Sequence, residues 1–263
     1  MSKIVLTITV LSLALFSCKK EVTNLQDSKF LNVEEKNMSV VAKRTATWCG
    51  PCGGWGFDLF ADLKQQYKDE AVFMAFKTAF TYVSPEGNTY YDRVNDLFGI
   101  GGGTPRFFFN FDTINGVNHA GIGSIAQHID AEVLAGANYE YTLSDEKIHL
   151  KTTTKFFKAA EGDFVISPFL IVSNQVGEQN GHPDGPNTVH PNFVANLAHP
   201  INTQFKDPWA YKVATGKIEK GYQINLEFEV YRNPDWTEED ISFALVLFKR
   251  VGGTYKFVNA FTK

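Results

Sequence analysis

Val40-Val41-Ala42-Lys43-Arg44-Thr45-Ala46-Thr47-Trp48-Cys49-Gly50-Pro51-Cys52 is the stretch that decides the fold. Its apolar start reads as a strand, and two cysteines follow it at positions i and i+3. Immediately downstream, Trp55 to Tyr67 carries apolar residues at Phe57, Phe60, Leu63 and Tyr67, the spacing of one helix face. Residues three apart on a first helical turn share a side, so Cys49 and Cys52 are placed to close a small disulfide. Cys49, at the exposed helix edge, meets unpaired N–H groups and the positive end of the helix dipole. Both favour thiolate, the nucleophilic form. Pro51 suits a helix start, where a missing N–H costs little. Cys52, one turn further in, is expected to resolve the mixed disulfides that Cys49 forms.

Two other uses of such a pair are weighed. Half of a zinc site needs a second pair at ligand spacing, and His119 and His128 stand alone. A permanent structural bridge is the other alternative, and it stays open at this point.

Outward from the motif, Ala71 to Ala79 is dense enough in apolar residues for a strand buried on both faces. Tyr91 to Phe98 reads as a short helix. Thr104-Pro105 leads into the strand Arg106-Phe107-Phe108-Phe109, Asp112 to Gly116 is a turn before a short extended piece, and Ser124 to Leu134 reads as a last helix. Gly99-Ile100-Gly101-Gly102-Gly103 lacks the Gly-Lys-Ser/Thr ending of a phosphate loop and is read as a flexible approach to the proline.

This order resembles the thioredoxin fold over roughly a hundred residues. The resemblance implies that Thr104-Pro105 is a cis-proline loop presenting an extended partner chain, and that Trp48, Gly50, Pro51, Thr104 and Pro105 form the substrate groove around catalytic Cys49 and Cys52. Two features depart from thioredoxin. Its buried acidic residue, six before the first cysteine, is replaced by Lys43, followed by Arg44. A cation near the pair favours oxidising character, whereas Gly50-Pro51 resembles the reducing members. Gly53-Gly54 weakens the first helical turn.

Beyond residue 139 the pattern changes to strict alternation. Ile148, Leu150, Thr152, Thr154 and Phe156 form one face of a strand; Ile224, Leu226, Phe228 and Val230 form one face of another. Phe164 to Val172, Ile241 to Phe248 and Tyr255 to Phe261 add strands, with Pro168 implying an edge or a bulge. An antiparallel sandwich follows from these. Gly177 to Asn187 is a long polar loop of the kind that carries binding. His182, His190 and His199 are scattered and read as surface or packing residues.

The N-terminus reads as an address. Lys3 and the apolar run Ile4 to Phe16 form a secretory signal, ending in Leu15-Phe16-Ser17-Cys18. That ending resembles a bacterial lipobox, with an ordinary signal peptide as the alternative. Lipidation of Cys18 leaves Cys49 and Cys52 as a pair. Lys19 is not the aspartate of inner-membrane retention, so outer-membrane delivery is expected, facing the periplasm or the cell surface. The expected organisation is a signal peptide at 1–17, a lipid-anchored tether at 18–38, an α/β thioredoxin-like domain at 39–137 and an all-β sandwich domain at 138–263, with a protease-sensitive linker near Gly136 to Tyr139.

The 263 residues, 44% hydrophobic with a formal charge of −4, exclude a disordered chain and a basic nucleic-acid binder. No metal or cofactor is implied by any motif. The whole resembles a family of Gram-negative outer-membrane lipoproteins named after a twenty-eight-kilodalton outer-membrane antigen. Matching pieces are Thr45 to Cys52, Val189-His190-Pro191-Asn192-Phe193-Val194 and Phe257-Val258-Asn259-Ala260. The family's second histidine and later arginine are missing around Asn192-Phe193 and Ala195-Asn196. The expected activity is thiol–disulfide exchange on protein dithiols or disulfides. The alternative is a non-enzymatic outer-membrane component that binds a partner protein through its β domain.

Overall fold

In the computed structural model of the chain, residues 29–78, 85–100, 102–112, 123–201 and 209–263 are described. The expected signal segment, Cys18, Gly101, His119 and the extended piece expected after Asp112 lie outside them.

The first half runs β1 (Ser39–Ala46), α1 (Gly50–Gly53), α2 (Trp55–Tyr67), β2 (Ala71–Thr78), α3 (Pro85–Phe98), β3 (Arg106–Phe109) and α4 (Gly123–Ile129). The second half is built of strands. It opens with β4 (Ala135–Leu143), β5 (Lys147–Phe156), β6 (Ala160–Glu161), β7 (Asp163–Val172) and β8 (Gln175–Gly177). Next come β9 (Thr188–His190), β10 (Phe193–Leu197), β11 (His199–Pro200), β12 (Tyr211–Ala214) and β13 (Lys217–Ile218). β14 (Gln223–Tyr231), β15 (Ile241–Val251) and β16 (Thr254–Phe261) complete it. The architecture is a thioredoxin-like α/β region followed by a β-rich sandwich.

β1 pairs parallel to β2 and antiparallel to β3. Side chains on the two faces of these strands meet different partners, as strand alternation requires. Val41, Phe73 and Phe107 pack under α2 and α4 with Leu59, Phe60, Leu63 and Ile125. Phe76 and Phe108 join Tyr90, Val94 and Phe98 of α3 on the opposite face.

The sheet does not stop at the end of the thioredoxin-like region. Its order is β16-β15-β7-β10-β2-β1-β3, with β10 beside β2 through Phe193 and Ala75. A second antiparallel sheet, β11-β14-β5-β4, closes the sandwich, with Tyr139 of β4 edge-on to Phe243 of β15. One core cluster runs from Met74 and Phe108 to Phe228 and Phe243.

Three expectations change accordingly. Gly136 to Tyr139 is not an exposed linker: it belongs to β4 and pairs with β5 from Thr152 to Lys155. Pro168 is not on an edge strand, because β7 has β15 on one side and β12 then β10 on the other. The Pro168 carbonyl accepts from Ala198 N–H at 2.9 Å, so its nitrogen faces that same side, where β12 ends and β10 begins. The missing donor falls in the gap between two neighbours. Finally, residues 29–38 of the polar N-terminal stretch dock on the fold. Asn37 Nδ2 donates to the carbonyls of His128 and Ala131, and Val33 and Met38 are buried.

Asn259 gives the closing Phe257-Val258-Asn259-Ala260 a structural meaning. Its buried amide accepts from Met38 N–H at 2.9 Å and donates to the carbonyls of Lys36 and Ala135, joining the start, middle and end of the chain.

Candidate active site

Cys49 and Cys52 form a disulfide, with Cα atoms 5.2 Å apart. Cys49 is the N-cap of α1, and its Sγ accepts from Cys52 N–H at 3.2 Å. Pro51 lies in the first turn, where no partner for an N–H is needed. The helix expected to run on from the motif is broken at Gly54 (φ −89°, ψ −119°), and α2 starts afresh at Trp55. The Cys49 sulfur therefore faces the donors of a single turn, so the Cys52 N–H matters more than a long helix dipole.

Across the groove, the Thr104–Pro105 peptide is cis, as the resemblance implies. Cys49 Sγ lies 3.3 Å from the Thr104 carbonyl oxygen and Cys52 Sγ lies 3.7 Å from Thr104 Oγ1. That hydroxyl donates to the Arg44 carbonyl at 2.9 Å, which leaves a lone pair toward Cys52. Pro105 packs on Gly56, where an added Cβ would sit 2.7 Å from the proline ring. Trp48 is 61% exposed and Trp55 43%, forming an aromatic rim. Gly50 opens to empty space. Structure thus brings Trp48, Cys49, Gly50, Pro51, Cys52, Thr104 and Pro105 together.

One expectation fails in degree. Cys49 is 4% exposed against 1% for Cys52, so the two differ little in accessibility. Thr104 faces the two sulfurs, and the β-rich region packs on the backbone of the motif. The loop between β8 and β9 lies along the motif, and Asn180 N–H donates to the Thr47 carbonyl at 2.8 Å while Asn180 Nδ2 reaches the Trp48 carbonyl at 3.1 Å. Gly181 has φ +79°, and a Cβ on it would stand 2.2 Å from the Gly50 oxygen. Only glycine fits that approach. Gly53 answers it, since its own Cβ would lie 2.3 Å from the Asn180 oxygen. Gly53 is thus a seat for the loop as well as a weak helix residue.

Gln179 is the residue that sequence reasoning missed. Its buried Nε2 donates to the carbonyls of Ala46 at 3.0 Å, Cys49 at 3.2 Å and Thr47 at 3.3 Å. Its Oε1 accepts from Lys77 Nζ at 3.2 Å. Lys77 in turn touches His190 Nδ1, and His190 Nε2 lies 3.2 Å from the Gly177 carbonyl. The Nε2–H tautomer follows from that carbonyl, with Nδ1 accepting from the lysine. His190 is accordingly a buried member of a polar cluster and not a surface or packing residue. The signal for it was the polar loop at 177–187, which pointed to function without saying where.

Lys43, at the acidic position of thioredoxin, and Arg44 after it part company. Lys43 is buried over the rings of Phe57 and Phe60 at 5.0 and 4.3 Å. Arg44 points to the other face, where Nε donates to the Tyr91 carbonyl at 3.1 Å and Nη1 to the Ile100 carbonyl at 2.9 Å. Ile100 is thereby pinned and buried, which corrects the flexible reading of its glycine-rich stretch at that residue. Burial lowers the Lys43 amine to about 7 and, with Lys43 beside it, the Lys77 amine to about 6. Burial and Lys77 lower the His190 imidazole to about 3. Among the described residues, no group of three or more His, Cys, Asp or Glu is placed to hold a metal ion.

A disulfide at a strand-to-helix turn, facing a cis-proline loop inside a thioredoxin-like fold, has the structural features of a thiol–disulfide oxidoreductase site. Comparison with solved structures supports the fold. HBP35 of Porphyromonas gingivalis matches with a TM-score of 0.68 and 17% identity, over 88% of this chain and 76% of that one. A selenomethionine-labelled β-glucosidase from Kluyveromyces marxianus matches half of this chain at a TM-score of 0.21, too low to carry an argument. No protein-family model matches the sequence, and no curated protein does.

Proposed function

We propose that the protein is a membrane-tethered thiol–disulfide oxidoreductase of the bacterial cell envelope, acting on protein dithiols or disulfides. The observation that carries this reading is the placement of the Cys49 sulfur, which accepts from Cys52 N–H and faces the Thr104 backbone where a partner chain would lie. Cys49 attacks, the N–H favouring its thiolate. Cys52 then resolves the mixed disulfide. Trp48, Gly50, Pro51, Thr104 and Pro105 form the groove.

Retention of one trapped partner tests the division of labour. Cys52→Ser should accumulate mixed disulfides through Cys49, and Cys49→Ser should accumulate far fewer. Equal trapping by both, or none by either in folded protein, sinks the reading. A second reading is favoured by the burial of both cysteines: the pair is a permanent brace, and the β-rich region binds a partner protein.

Anchoring through an acylated Cys18 in the outer membrane, and kinship with the twenty-eight-kilodalton-antigen lipoproteins, belong to the same proposal. Cys18→Ser should release the protein from membranes; a variant that still pellets in high salt removes the lipid from the account.

A further inference from the structure

Three buried basic groups have no part in the exchange chemistry above. Lys43 of β1, Lys77 of β2 and His190 of β9 line a cavity of about 10 Å³ with Thr45, Phe57 and Gln179. That is room for about one water molecule. The cavity lies on the α2 side of the sheet, the side of the Cys-x-x-Cys turn. A hydrogen-bonded path ties the cluster to the backbone of that turn: Lys77 Nζ donates to Gln179 Oε1 at 3.2 Å, and Gln179 Nε2 to the Cys49 carbonyl at 3.2 Å. The path crosses the molecule's two halves, since β8, the loop and β9 come from the β-rich region.

We propose that this Lys77–His190–Gln179 cluster is the proton store of the redox pair, taking up a proton when the Cys49–Cys52 disulfide is reduced and giving it back on reoxidation. The inference rests on the oxidoreductase reading. The step balances. A partner dithiol supplies two electrons and releases two protons as its own disulfide forms. The Cys49–Cys52 bond accepts both electrons and breaks. One proton goes to the Cys52 sulfur, the other to the cluster, and Cys49 is left as a thiolate.

The physical reason is charge compensation. Reduction creates an anion in a buried site, where an uncompensated charge is costly and nearby charges act strongly. A neutral amine close to a new anion gains proton affinity. Lys77, lowered to about 6 in the disulfide form and joined to Gln179, is largely deprotonated at neutral pH and so able to accept. Among the described residues, the titratable groups that face Lys77 are Lys43 from β1 and His190 from β9, beside Gln179 from the loop and Phe57 from α2. His182 meets the Phe57 ring edge-on at 4.5 Å, and Asp184 Oδ2 lies 3.7 Å from His182 Nδ1. Lys77 is thus the charge-compensating residue, and His190 and Gln179 are positioning residues.

The test is the equilibrium of the full chain with dithiothreitol, followed across pH together with the ultraviolet absorbance of the Cys49 thiolate. In the wild type, reduction should take up about two protons per disulfide at a pH where Cys49 already reads as thiolate. Lys77→Met should take up about one, and its equilibrium constant for reduction should fall about tenfold near neutral pH. Lys77→Arg, permanently charged, should also take up about one proton but keep the wild-type constant or exceed it. A wild-type count of about one proton beside an ionised Cys49 overturns the proposal without any variant having to fold. A count unchanged in Lys77→Met overturns it too, while leaving the oxidoreductase reading standing. Failure of the wild-type disulfide to exchange at all overturns both.

Discussion

Lys43 and Arg44 are neighbours on β1, both buried and both cationic by type, yet the two faces of the sheet treat them differently. On the α3 face, Arg44 keeps its charge and spends its fork on the Tyr91 and Ile100 carbonyls, with its guanidinium 4.1 Å from the Tyr91 ring centre. A guanidinium cannot give up its proton in a protein, so the fold must satisfy it. On the α2 face, Lys43 has the Gly56 carbonyl at 3.4 Å and two aromatic rings, and burial drives its amine toward neutrality. One face holds a fixed structural cation; the other holds amines whose charge responds to their surroundings. The redox pair sits over the responsive face.

The sharpest way to break this contrast is to remove both side chains in turn. Arg44→Met should cost about 3 kcal/mol, because a buried hydrogen-bonded cation and its packing are lost together. Lys43→Met removes an amine that must shed its proton to stay in the fold, so at pH 8 it should lose no stability and gain about 3 kcal/mol. Urea unfolding of both variants checks the pair; equal losses would mean that the two faces do not differ.

A smaller effect is expected at the loop that closes the responsive face. Gly181→Ala should cost about 2 kcal/mol, since the new Cβ meets the Gly50 carbonyl at a positive φ. Displacing the loop should also speed the reaction of reduced Cys49 with an alkylating reagent. Unchanged alkylation would show that the loop does not control access.

The responsive face also sets the pH dependence of stability. The folded amines of Lys77 and Lys43 are lowered to about 6 and about 7, against 10.5 for an ordinary lysine. Between those values the unfolded chain binds more protons, so stability of the disulfide form rises with pH from about 6 toward 10.5. Each lysine contributes about 1.4 kcal/mol per pH unit to the slope, about 2.7 for the two together, and Lys77→Met should roughly halve it. Unfolding midpoints taken across that window measure it directly.

How much of this the sequence disclosed follows from which contacts are local. The Cys-x-x-Cys turn, the α2 face from Phe57 to Tyr67 and the Thr104-Pro105 entry to β3 are set within a few residues and were legible. So were β5 and β14, whose alternation reports one buried face. The continuous sheet was not. β10 is buried along its whole length and shows no period to read. Pro168 signalled an edge or a bulge because a sequence does not reveal that two neighbours divide one side of β7 between them. The Lys77–His190 contact spans 113 residues, and Gln179 lies 130 residues from Cys49. Nothing in the local pattern of a polar loop names such distant partners.

The central claim is that Cys49–Cys52 is a working redox couple and not a brace. Equilibrating the folded protein with mixtures of reduced and oxidised glutathione, and quenching with an alkylating reagent, tests it most directly. The account predicts that the pair interconverts reversibly while the fold is retained, reaching the same ratio from the oxidised and the reduced side. A disulfide that stays closed until the protein unfolds would contradict it.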